Sequence, residues 1–134
     1  MRSPRLDRPL IGTLIYGVLL TALLVMPMGG THIRRGYLRE FALRSPRRAI
    51  ADVLSNVALF VPLGWGLYRT LRRVHSFRST TRIIAVAVAV GLYSLTMETV
   101  QYFLPTRYSS LIDVVADTIG GAVGAWMEQR GEDA

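Results

Sequence analysis

The chain has 134 residues, room for one compact unit, and its 51% hydrophobic content excludes intrinsic disorder. The absence of cysteine excludes disulfide frameworks, thiolate metal sites and thiol nucleophiles. Sixteen arginines, no lysine and nine acids give a net charge of +7, and the placement of that charge decides its meaning.

The arginines gather before residue 9, at 34–48 and at 69–82, with Arg107 and Arg130 apart. Long apolar runs lie between them. Pro9 to Ile33 carries no charge over 25 residues. Its core, 10–28, is about 28 Å long as a helix, the thickness of a bilayer's hydrocarbon. The rival reading is a cleavable signal peptide with Arg2, Arg5 and Arg8 as its charged segment. However, Met26-Pro27-Met28-Gly29-Gly30 offers no small-x-small cleavage site, so the run is read as a retained membrane helix. In the next segment Ile33, Tyr37 and Phe41 recur every four residues, joined by Leu38, while Arg34, Arg35, Arg39 and Arg44 fall largely elsewhere. Such a stretch either lies flat among lipid headgroups or is a solvated loop.

Three further runs have the length of a span: 49–68 with Asp52 near its start, 83–104 uncharged until Glu98, and 109–127 with Asp113 and Asp117. A soluble bundle would show a charged stripe on every helix, and Ile83 to Met97 shows none. The expectation is an all-α, polytopic membrane protein. It is one domain over 1–134, a bundle of four transmembrane helices at 10–28, 49–68, 83–104 and 109–127. The connection at 105–108 is so short that the third and fourth helices must be antiparallel neighbours, and Pro105 disfavours helix in the residue before it. With four spans, nine arginines fall on the side of the termini and seven on the other. That count tips both termini toward the cytoplasm.

Hydrocarbon cannot satisfy polar groups, so intramembrane carboxylates must face the bundle interior. Asp52 and Asn56 stand four apart on the second helix. Gly91, Ser94, Glu98 and Gln101 form a seam on the third, and Asp113, Asp117, Gly120 and Gly124 form one on the fourth. Gly120 and Gly124 are also a GxxxG pair that admits a close neighbour. The economical inference is that the seams face one another, either as a polar pocket or as packing glue. In the second helix Pro62 lacks the N–H that would bond Ala58, and with Gly64 it marks an expected kink. Glu98, Asp113 and Asp117 gather negative charge against one local cation, Arg107. Either some carry a proton, or a cation or cationic ligand completes the site. Arg107 itself would pair with these acids or snorkel to headgroup phosphate.

On these residues the chain resembles the VanZ-like family of small bacterial membrane proteins. One block is NVALFVPLGWGL at 56–67, where Asn56, Phe60, Pro62 and Gly64 match the pattern of Asn, aromatic and Pro-Leu-Gly. The other is METVQYFLPTRYSSLIDVVADTIGGAVG at 97–124, with its Glu, Gln, Arg-bearing turn, Asp and Thr-x-Gly segment. The resemblance is strongest over 52–127. It departs at Asp117, where the family commonly has Asn. The resemblance implies a multi-pass protein of the bacterial plasma (inner) membrane with a cell-envelope role. The family is named for a teicoplanin-resistance protein, and the resemblance supplies no reaction.

Three functions follow as expectations. In the first, Asn56, Glu98, Gln101, Arg107, Asp113 and Asp117 line a pocket for an envelope lipid or lipid-linked cell-wall intermediate, with membrane lipids, anionic ones among them, as partners. In the second, two of the carboxylates act as acid and base in an intramembrane hydrolase or transferase. In the third the chain is an ion-coupled transporter, for which so small a protein without repeats would need to oligomerise. Ser109 and Ser110 suit local hydrogen bonds better than nucleophilic attack. His32 and His75 lie in loops without evident partners, so no catalytic residue is assigned. Three carboxylates without further geometry do not define a metal site, and neither metal nor cofactor is expected. Nucleic acid is excluded as a partner, because the arginines flank apolar spans and no nucleic-acid motif is present.

Overall fold

Long helices are what a chain of this patterning forms when lipid supplies no partner for an open backbone. A computed structural model describes residues 8–27, 46–75, 77–104 and 109–132. It contains α1 (Arg8–Val25), α2 (Pro46–Val74), α3 (Ser79–Phe103) and α4 (Leu111–Glu132). The first three are each long and apolar enough to cross a membrane. The fourth carries Asp113 and Asp117 in its sequence, and its apolar residues are distributed to match: Leu111, Val115, Ile119 and Val123, spaced by four, all face outward. The same outward stripe appears on α1 at Ile11, Leu14, Ile15, Val18 and Leu19. An apolar coat of this extent is a lipid-facing surface, since a soluble monomer does not carry one.

The helix limits differ from those read off the sequence, and the differences have causes. The apolar blocks mark the membrane span, whereas the helices run on through their arginine-rich ends. Thus α2 reaches Val74 instead of 68 through Arg69, Arg72 and Arg73, because arginine is a good helix former, and α3 begins at Ser79 instead of 83. Pro46 opens α2, a position proline suits because its missing N–H would be unbonded there in any case. α1 stops at Val25, two residues before Pro27. α4 starts at Leu111, later than expected, and runs to Glu132. The amphipathic stretch at 31–44, His32 and Arg107 lie outside the described residues.

α4 packs most extensively on α2 and next on α3, while α1 lies across α2 and α3. The α2–α4 contact is backbone on backbone. A Cβ added at Gly64 would overlap the Gly121 carbonyl, and one at Gly120 or Gly124 would overlap the carbonyls of Val57 or Val61. Matching 57 with 120 and 61 with 124 makes the two helices parallel. α3 runs antiparallel to α4, with Ser94 opposite Asp117 and Val90 opposite Gly121. The apolar centre is Leu20, Phe60, Leu63, Tyr68, Val86, Val90 and Ala125. α2 continues through Pro62. Beside the Ala58 carbonyl that the proline deprives of a donor, Tyr16 Oη donates to the Leu59 carbonyl at 2.6 Å.

Between helices in lipid, close approach takes over the role that apolar burial has in water. Gly124→Val should therefore destabilise the bundle by about 3 kcal/mol, at the upper end of overpacking costs. Gly17→Ala, where a Cβ meets nothing within 4 Å, should be neutral or stabilising by up to about 1 kcal/mol. Reversible unfolding of the detergent-solubilised protein measures both.

Candidate functional site

The polar side chains of α3 and α4 meet at the end of the bundle where α3 finishes and α4 starts. Ser94, Glu98 and Gln101 are all buried on α3, at spacings of four and three that set them on one face. Asp117 is buried on α4, with Asp113 one turn earlier and half-buried. Gly91 continues the α3 face, where Thr118 of α4 packs against it.

Each of these groups has a different task. The Ser110 backbone N–H donates to Glu98 Oε2 at 2.5 Å. Ser110 directly precedes α4, and its carbonyl accepts from the N–H groups of Asp113 and Val114. Glu98 thus places a carboxylate at a helix N-terminus, where unbonded N–H groups and the helix dipole favour negative charge. Gln101 Nε2 donates to the Leu24 carbonyl at 3.0 Å. That carbonyl belongs to the last turn of α1, which has no intrahelical donor. Gln101 is therefore a clamp between α1 and α3. Ser94 Oγ donates to Asp117 Oδ2 at 2.6 Å, joining the α3 and α4 seams directly. Asp117 Oδ1 is buried and has no hydrogen-bond partner among the described residues.

Of the other positions singled out in the sequence, Asn56 is half-buried on the α2 face that also carries Phe60. Asp52 is exposed. Pro62 is exposed and Gly64 is buried against α4. Among the described residues no group of three or more His, Asp or Glu is placed to hold a metal ion.

Sequence reading passed over the tyrosine contacts. Besides the bond from Tyr16, the hydroxyls of Thr21 and Tyr93 lie 2.7 Å apart. Thr21 Oγ1 gives its proton to the Gly17 carbonyl, so Tyr93 is the donor of that pair. A tyrosine in the middle of an apolar run was the available signal. Glu128 on α4, which pairs with Arg69 and Arg72 at 3.5 and 3.7 Å, was likewise passed over.

An all-α bundle with a lipid-facing coat and inward-turned carboxylates defines a polytopic integral membrane protein. The chain belongs to the VanZ/LLP1 family, whose model matches residues 13–128 and so takes in part or all of each of the four helices. The chain has no match among curated proteins or among solved structures.

Removing one partner of the Ser94–Asp117 bond leaves a buried acceptor unmet. Ser94→Ala should destabilise the protein by about 1–2 kcal/mol. A double-mutant cycle with Asp117→Ala should return a coupling of about 1 kcal/mol, the usual scale for such bonds in membranes.

Proposed function

We propose that this protein binds the polar headgroup of an envelope lipid or lipid-linked cell-wall precursor at the α3–α4 end of the bundle. The observation that carries this reading is Asp117 Oδ1, a buried carboxylate oxygen at bilayer depth without a hydrogen bond. An acceptor so placed is costly unless a donor meets it. A ligand hydroxyl, amide or amine is a donor of that kind, and Glu98 and Asp113 lie on the same side of the bundle to recognise more than one such group. Arg107, by its place between α3 and α4, supplies a cation for the phosphate.

The reading includes a place and an orientation. The protein sits in the bacterial plasma membrane with both termini cytoplasmic, in line with the arginine excess on that side. The Glu98–Asp117 end then faces the outer leaflet, where precursors of an external wall are available. Handling of glycopeptides such as teicoplanin, the property behind the family's name, is the phenotype to follow.

Glu98→Gln should abolish that phenotype, and the co-purified polar lipid, at unchanged membrane abundance. A fall in abundance would point to a packing role instead. Asp117→Asn keeps an acceptor for Ser94 and should weaken lipid retention by about tenfold, as expected for losing a charge-assisted bond. Mass spectrometry of the purified protein's lipid extract measures the retention. Release of a product from a defined lipid-linked precursor, lost in Asp113→Asn, would replace binding with catalysis.

A further inference from the structure

At the opposite end of the bundle α1 and α2 cross antiparallel and leave a cleft of about 560 Å³, well inside the range of ligand sites. Arg8 and Gly12 line it from α1, and Pro62, Trp65, Arg69 and Arg73 from α2. The spacings of three and four put each set on one helical face. Its floor is the contact of Gly66 with Thr13, where a Cβ at Gly66 would overlap the threonine hydroxyl. Over Gly12 the cleft is open, since a Cβ there meets nothing within 4 Å. The arginines stand at the mouth, and the inner stretch beside Pro62 and Trp65 is apolar.

The side chains described at the mouth are mostly cationic. Glu128 is shared between Arg69 and Arg72, and Arg8 and Arg73 add positive charge at the same end. Arg69 is held in place by its stacking on Trp65, with the guanidinium carbon 4.9 Å from the ring centre. Its buried Nε faces Glu128 Oε1 at 3.5 Å, an ion pair without hydrogen-bond geometry.

We propose that this cleft binds one anionic phospholipid. The phosphate meets Arg8, Arg69 and Arg73, and an acyl chain lies over Gly12 between Pro62 and Trp65. Helix-end arginines sit at headgroup depth, and guanidinium is the side chain best matched to phosphate. The eight residue steps of α1 from Arg8 to Tyr16 give the cleft a run of about 12 Å toward the membrane centre, the direction a lipid tail takes. The site shares no residue with the Glu98–Asp117 end, so its test is separate from that reading.

The test is native mass spectrometry of the full chain, delipidated in detergent and titrated with phosphatidylglycerol or phosphatidylcholine. Wild type should retain one phosphatidylglycerol in preference to phosphatidylcholine. Arg8→Gln/Arg73→Gln should reduce that retention by about tenfold or more. Arg78→Gln/Arg130→Gln, which removes as much charge from the same end outside the cleft, should leave it unchanged. Gly12→Leu fills the cleft without touching an arginine and should lose the bound lipid while the protein stays folded. Inorganic phosphate at millimolar concentration should not displace the lipid. Equal retention of the two lipids, unchanged retention in Gly12→Leu, or displacement by phosphate alone would overturn the proposal.

Discussion

The contact between α2 and α4 sets the geometry of everything else. Lipid chains are as apolar as leucine, so helices in a bilayer gain little by hiding apolar side chains from their surroundings. What holds them together is dense contact and hydrogen bonding, and both need the backbones to come close. Gly64, Gly120 and Gly124 remove the atoms that would keep α2 and α4 apart. With α4 fixed on α2, its next face is turned to α3, which is where Asp117 meets Ser94 and Gly121 meets Val90. The polar end of the bundle is thus a consequence of glycines placed on the adjoining face of the same helix.

The hydrogen bonds show how the polar side chains are accommodated more sharply than burial does. Threonines at 13, 21, 70, 96, 99 and 118 each donate to the carbonyl four residues earlier. Even the outward-facing Thr96 and Thr99 thereby carry no unmet donor into lipid. Tyr16, Tyr93 and Gln101 join α1 to α2 and α3. Glu98 receives the first N–H before α4. Gln101 and Glu98 were both read from sequence as pocket-facing, and each completes a helix end. Asp117 differs, because one oxygen is engaged by Ser94 and the other by no hydrogen bond.

Much of this was legible in the sequence because lipid imposes few solutions. A charge-free run such as Ile83 to Met97 has no stable place except in a membrane or a large core, and the i, i+3, i+4 spacing of Ser94, Glu98 and Gln101 fixed their common face. Gly120 and Gly124 announced a close neighbour without saying which one. The neighbour is α2, and Gly64, read as part of a kink, is a contact glycine facing Gly121. The helix ends were misjudged because hydropathy reports the thickness of the bilayer, whereas arginines prolong a helix beyond it. Tyr16 and Tyr93 escaped notice because a tyrosine's apolar ring blends into a hydrophobic run while its hydroxyl seeks a partner on another helix.

The positive charge, which alone would suggest nucleic acid, has a structural reading at the end of the bundle opposite the carboxylates. Arg69 stacks on Trp65, Arg82 on Tyr68 and Arg130 on Trp126, at 4.9, 5.5 and 4.7 Å from the ring centres. Arg82 also donates to the Phe77 carbonyl and to the buried Tyr68 hydroxyl, tying the α2–α3 connection to both helices. Tryptophan, tyrosine and arginine together are the residues that settle at a membrane–water interface, where a ring is half in hydrocarbon and a cation reaches phosphate. Arginine suits this place better than lysine because its planar, weakly hydrated head lies flat on an aromatic face while still donating sideways. The two ends of the molecule therefore differ in kind. One end carries cation–aromatic pairs of the kind that suit headgroup depth, and the other turns the carboxylates of Glu98 and Asp117 inward, where a serine hydroxyl and a backbone N–H meet them.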